Sequence, residues 1–375
     1  MCLASVVGLL LSYKLWLSAR TFPLSPVTTA LPMIPFPFDT LIFILLILLL
    51  TIIFFSNTPR KYLLVFISLL LLDCLEDQLR WQPWVYQYLL MFTVLSFFPW
   101  QLKKPGNQEE IINTFRIIIA SIYIYSGIQK LNVLFLTSVW PWLATPISHL
   151  LPFIPWQILY AVGNIIPLVE TSIGIFLLIP KTRKIAVWLA IAMHLFILFS
   201  LGPLGRNWNS VVWPWNIAMI GFVWTLFWDT QKITFKDIFK RNKFAFKYVV
   251  ILLFGILPIL NLFNLYDSYL SDALYSGNTS SAYMVLGKDH HQLDFNTWAL
   301  SELNVPVYPA DRIFLNIGRK VCAELSASGD SKLVILDKAN IGGISKMKIY
   351  TCKDLITLKR KHQQIFLVSA TAENW

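Results

Sequence analysis

The sequence predicts an all-α polytopic membrane protein of about nine transmembrane helices, followed by a small extracytoplasmic α+β domain. Three observations carry that expectation. First, 56% of the 375 residues are hydrophobic and 14% are charged, against roughly 25% charged residues in soluble proteins; mean hydropathy is +0.61. Such a composition excludes a disordered chain, a secreted disulfide miniprotein and an ordinary soluble enzyme. Second, apolar runs of spanning length recur through residues 1–265. Third, the charge is unevenly split: residues 1–265 hold 19 Lys/Arg and 9 Asp/Glu, whereas residues 266–375 hold 12 and 11. The cationic excess sits in the membrane part, where loop cations set orientation, so it does not point to nucleic acid. The balanced tail reads as a soluble domain.

A span needs about 20 residues at 1.5 Å rise each. Nine stretches approach this: 2–18, 39–56, 61–76, 84–100, 111–131, 154–179, 185–202, 210–228 and 246–264. Lys14 interrupts the first, which also reads as a signal peptide or an interfacial helix, although no small-x-small cleavage site precedes Thr21. Lys232, Lys236, Lys240, Arg241, Lys243 and Lys247 between the last two runs are the strongest positive-inside signal. Counting back, Lys181/Arg183/Lys184, Lys103/Lys104 and Arg60/Lys61 also fall inside. The alternating links, rich in Trp and Pro, fall outside together with the tail. The N-terminus is then cytoplasmic, Arg20 is the one misplaced cation, and a bacterial inner membrane is the expected location.

From Asp267 onward the chain has turn signals at Ser276-Gly277-Asn278 and Ser328-Gly329-Asp330. Short apolar runs at Leu333–Leu336 and Ile365–Val368 read as strands. Cys322 and Cys352 form a disulfide if the tail is exported, or are two free buried thiols. No pair has the C-x-x-C spacing of a thioredoxin-type site.

Ionisable residues inside apolar spans are functional candidates by default. Lys130 ends the fifth run, Glu170 lies in the sixth and His194 in the seventh. A desolvated Lys130 amine is a usable base; the alternative is a lysine whose ammonium snorkels to the headgroups. Glu170 reads as a proton holder or as a partner of Lys130 or His194. His194 reads as a polar support or as a packed core histidine. No His or Cys lies three or four residues from His194, so a metal is not expected. Asp73, Glu76, Asp77 and Arg80 read as a solvated loop face. The Trp-Pro pairs, Trp140/Pro141/Trp142 among them, read as an interfacial belt or as the roof of an apolar cavity.

Residues Tyr123 to Asn132 resemble the aromatic–small–Gly–x–x–Lys–Leu–Asn/Asp segment of the vitamin K-dependent γ-carboxylase-like (HTTM) membrane proteins. The succession Trp140/Trp142, Glu170 to Gly174, Lys181–Lys184 and His194 is similar too, and the stretch of about 70–228 also resembles DoxX-like four-helix modules. The resemblance implies a membrane enzyme acting on a quinone-like, lipid-soluble substrate. Lys130 would be the base and Glu170 and His194 its polar supports, with Tyr125, Gln129, Trp140, Arg206 and Asn207 on the substrate side. Gln129 stands where the carboxylases have the first lysine of a pair. The DoxX-like alternative is a non-catalytic membrane subunit or anchor whose tail holds a redox or cell-envelope partner. The lipid bilayer is the other expected partner.

Overall fold

The computed structural model describes residues 1–28, 33–100, 105–240, 244–287, 291–324, 331–339, 344–357 and 364–369. Lys103, Lys104, Arg241, Lys243 and the Ser328–Asp330 turn lie outside them.

Helix α1 (Cys2–Leu11) is short, and the chain tightens after it through Tyr13–Trp16. α2 (Phe38–Phe55) is unbroken and apolar on all sides, as a lipid-facing helix must be. α3 (Arg60–Glu76) packs against it, and α4 (Pro83–Ser96) starts on a proline suited to a first helical turn and is buried almost throughout. α5 (Pro105–Gln129) is the central helix. A π-type turn at Phe135–Val139 leads into α6 (Trp140–Leu150). α7 (Trp156–Val162) and α8 (Ile166–Leu178) form one apolar path bent by 42°. α9 (Arg183–Leu201), α10 (Val212–Phe227), the short α11 (Phe235–Phe239) and α12 (Phe246–Phe263) complete the bundle.

Among the described residues, α2, α5, α9 and α12 are long and apolar enough to cross a membrane, with α7–α8 a fifth if the bent pair counts as one span. The described residues thus hold four or five candidate spans, and the expected nine are not shown. A run of apolar residues registers composition, whereas a span requires continuous helical rise. α4 ends where the Ser96 hydroxyl returns to the Thr93 carbonyl, and the apolar Phe97, Phe98 and Trp100 beyond it are not helical. α1 and α10 are apolar but short, and α3 carries Arg60, Lys61, Asp73 and Glu76.

In the bundle, α5 packs closely on α8. A Cβ on Gly127 would lie 2.3 Å from Thr171 Oγ1, and one on Gly174 would lie 2.5 Å from the Ala120 carbonyl oxygen. Small residues let the two backbones meet, which is how helices associate where lipid removes the hydrophobic drive.

The tail folds around a five-stranded antiparallel sheet. Its strands are β1 (Ser281–Leu286), β2 (His291–Asp294), β3 (Lys332–Leu336), β4 (Ile344–Thr351) and β5 (Gln364–Ser369), in the order β2-β1-β3-β4-β5. Met284 pairs with Leu333, and Leu333 with Tyr350. α13 (Phe295–Leu303), α14 (Asp311–Glu324) and α15 (Cys352–Thr357) accompany it. Of the two cysteine alternatives the disulfide is found, Cys322 to Cys352, with Cα atoms 5.4 Å apart.

The tail is docked on the bundle by directed bonds. Arg312 Nε donates to Gln78 Oε1 at 2.6 Å, Gln82 Nε2 to the Pro306 carbonyl at 3.1 Å, and Asn304 Nδ2 to Ser210 Oγ at 2.7 Å. Beside this contact the Asp73–Arg80 cluster is buried, not a solvated loop face. Arg80 faces Asp73 at 3.5 Å and Glu76 at 3.7 Å, and its guanidinium donates to the Leu15 and Trp16 carbonyls. Arg20, the misplaced cation, pairs with Asp77. A guanidinium's several fixed donors suit it to tying separate backbone segments together.

Candidate functional site

The site grows from one face of α5. Tyr123, Ser126 and Lys130 follow at helical spacing and point toward α8 and α9. Lys130 is 8% exposed. Its ammonium donates to Glu170 Oε2 at 2.8 Å, Ser126 Oγ at 2.7 Å and the Ser126 carbonyl at 3.2 Å. Those three acceptors use all three of its donors. Glu170 sits on α8 within reach only because Gly127 and Gly174 bring the two helices together.

Deeper in the bundle, His194 of α9 is buried between α5 and α10. Asn216 donates its Nδ2 to the Val212 carbonyl at 2.7 Å, which turns its Oδ1 toward His194 Nδ1, also at 2.7 Å. His194 Nδ1 therefore carries the proton and donates it. Nε2 is left to accept from the Tyr123 hydroxyl at 2.6 Å.

These groups share one cavity of about 410 Å³, a volume within the usual range for small-molecule sites. Much of its wall is apolar: Ile122, Phe135, Leu143, Met193, Trp215 and Met219 contribute to it. Trp140 forms one side. Its indole N–H donates to the Leu159 carbonyl at 2.8 Å, its ring stacks on Phe196 at 5.5 Å, and it lies where a Cβ on Gly163 would be.

The structure thus brings Lys130, Glu170, His194 and Trp140 to one cavity. It does not bring the other candidates there. Tyr125 and Gln129 lie on another face of α5: the Tyr125 hydroxyl donates to the Gly255 carbonyl of α12, and Gln129 Oε1 accepts from Asn278 Nδ2. Arg206 is spent on the Trp142 carbonyl, with Nη2 at 2.9 Å, and Asn207 is an exposed turn residue with φ +47°. Sequence reasoning missed Asn216, although a lone amide in an apolar helix is a signal of its own. It also missed Asp272, Leu274 and Tyr275, which the tail brings to the cavity wall; nothing local marks them. Among the described residues no group of three or more His, Cys, Asp or Glu is placed to hold a metal.

The family model of the methylamine utilisation protein MauE matches residues 108–210. That stretch includes most of α5, all of α6 to α9, and Lys130, Glu170 and His194. No curated protein and no solved structure matches the chain. The match corrects the resemblance to the γ-carboxylase-like and DoxX-like families, and the quinone substrate it implied loses its support. The reason is visible in the fold. Aromatic–small–Gly–x–x–Lys is here a packing motif, in which the glycine admits α8 and the lysine meets that helix's carboxylate.

Proposed function

We propose that this chain is a non-catalytic membrane subunit serving a redox or cell-envelope partner. The single observation that carries the reading is the family match to methylamine utilisation protein MauE over the helices that build the cavity. Side-chain geometry supports it. An ammonium held by three acceptors offers no lone pair to a substrate, and both His194 nitrogens are already bonded. We place the chain in a bacterial inner membrane with the tail outside. Two observations support that orientation. The tail contacts Gln78, Gln82 and Ser210, all in or beside links that the cation pattern assigns to the outside. The Cys322–Cys352 bond also suits an oxidising compartment.

Deletion of the gene in its native host tests the reading. The expected outcome is loss of growth on methylamine and a fall in the level of an envelope redox protein, both restored by the intact chain. Unchanged growth and unchanged levels would sink it. Complementation with Lys130→Arg separates subunit from enzyme, because arginine keeps the cation and cannot serve as a base. A subunit is complemented, whereas an enzyme with a lysine base is not, although the variant is present in the membrane.

A further inference from the structure

The cavity meets the molecular surface at a definite place. Every described lining residue outside α7 and α9 is buried or half-buried. Three lining residues are exposed: Val162 at the end of α7, by 38%, and Leu189, by 40%, and Ala192 on α9. Residues that line a cavity and are also exposed mark where it opens. The surface around them is apolar. Ile165 and Leu168 on one side, and Trp188 and Leu195 on the other, are exposed as well. Helix α9 and the bent α7–α8 pair are both candidate membrane spans. In a bilayer this flank faces hydrocarbon, not water.

The wall then chooses what enters. Its charged and indole donors are already spent. Lys130 gives its donors to Glu170 and Ser126, Tyr123 gives its hydroxyl to His194, and His194 donates to Asn216. The Trp140 indole donates to the Leu159 carbonyl and the Trp215 indole to Gln87 Oε1, each at 2.8 Å. A phosphate headgroup would have to leave water and compete with Glu170 for Lys130, and an unpaired buried charge is costly. An alkyl chain asks for no polar partner, and it restores the dispersion contacts that a void withholds from its walls.

We infer that the cavity is a lipid-tail site. One acyl chain of a membrane phospholipid passes Val162, Leu189 and Ala192 and lies among Ile122, Leu143, Ile166 and Met193, while its headgroup stays outside the protein. The chain moves from one apolar medium to another, so fit to the wall, not hydrophobic drive, holds it there.

The test is photolabelling of the full chain in phospholipid nanodiscs. One probe is a phospholipid with a diazirine at the end of an acyl chain; the other carries the diazirine on its headgroup. Labelled residues are mapped by peptide mass spectrometry. Lipids of the surrounding annulus report on the exposed Leu45 and Leu48 of α2. The interior is reported by Ile122 and Leu143, which line the cavity and are 6% and 5% exposed. The tail probe is expected to label both sets, and the headgroup probe neither Ile122 nor Leu143. Ala192→Trp places a ring at the opening, on a residue with room for it. This variant is expected to cut interior label about tenfold while α2 label and the unfolding midpoint stay unchanged. Leu189→Trp, also at the opening, is expected to do the same and serves if the first variant fails to fold. Label on α2 without label on Ile122 or Leu143 overturns the proposal. So does interior label that the folded variants leave undiminished, and so does interior label from the headgroup probe.

Discussion

Lys130 and Glu170 illustrate what a buried ion pair contributes. The pair itself adds little net stability, because each charge loses its water, but removing one partner strands the other. Lys130→Met is therefore expected to destabilise the chain by about 3–5 kcal/mol, and the double variant Lys130→Met/Glu170→Leu to recover much of that loss. Thermal unfolding in detergent measures both, and equal losses in the single and double variants would refute the pairing. In the tail, Asp267 is bound by Arg312 and by the Tyr308 hydroxyl at 2.8 Å. Burial works against its charge, but the Arg312 hydrogen bonds and charge, with Tyr308, outweigh burial and hold it below its ordinary value. A depressed carboxyl contributes stability that is present above its unfolded value, about 3.9, and is lost as pH falls through the lower folded value. The unfolding midpoint should thus decline below about pH 4, and less steeply in Arg312→Met, which has less of the shift to lose. Lys130, Glu170 and His194 stood out in the sequence because an ionisable group in an apolar run is costly. Tyr125 and Gln129 do not line the cavity. Residues 123, 126 and 130 share one helical face, and 125 and 129 another.

Helix α5 works as an element because its small residues face α8. Gly127→Leu would force the backbones apart at Thr171, where even a Cβ has no room. The expected cost is about 1–3 kcal/mol for the overpacking itself, plus loss of the Lys130–Glu170 contact. An unfolding midpoint equal to that of the unmodified chain would contradict this account. The bend between α7 and α8 has a related role. Gly163 at the break leaves space for the Trp140 ring, and the Leu159 carbonyl of α7 holds its indole N–H. The apolar runs of the tail at Leu333–Leu336 and Ile365–Val368 correspond to β3 and β5. Helix boundaries were less legible. α1 and α4 end while the sequence stays apolar, so hydropathy alone does not place the helix ends.

At the scale of the whole molecule, the bundle and the tail are joined by bonds from residues distant in sequence, including Arg312 to Gln78 and Asn278 to Gln129. Single-cysteine variants in a background lacking the free cysteines report the orientation. Ser301→Cys, on the exposed face of the tail, is expected to react with a membrane-impermeant maleimide in intact cells. Gln231→Cys, in the exposed turn after α10, is expected to react only after the membrane is opened. The reverse pattern would invert the topology.

Composition and charge asymmetry by themselves determined a helical membrane chain with a separate balanced tail, because the bilayer tolerates few other compositions. The sequence also marked the buried ionisable residues of α5, α8 and α9, because each is expensive to place in an apolar run. Only the tertiary structure decided which apolar runs are long enough to span, since rise and capping are not functions of hydropathy. It alone decided that Asp272 of the tail meets Lys130 of the bundle at one cavity. No local pattern encodes that meeting: it follows from the Ser276–Asn278 turn docking on the end of α5, through hydrogen bonds that exist only once both parts have folded.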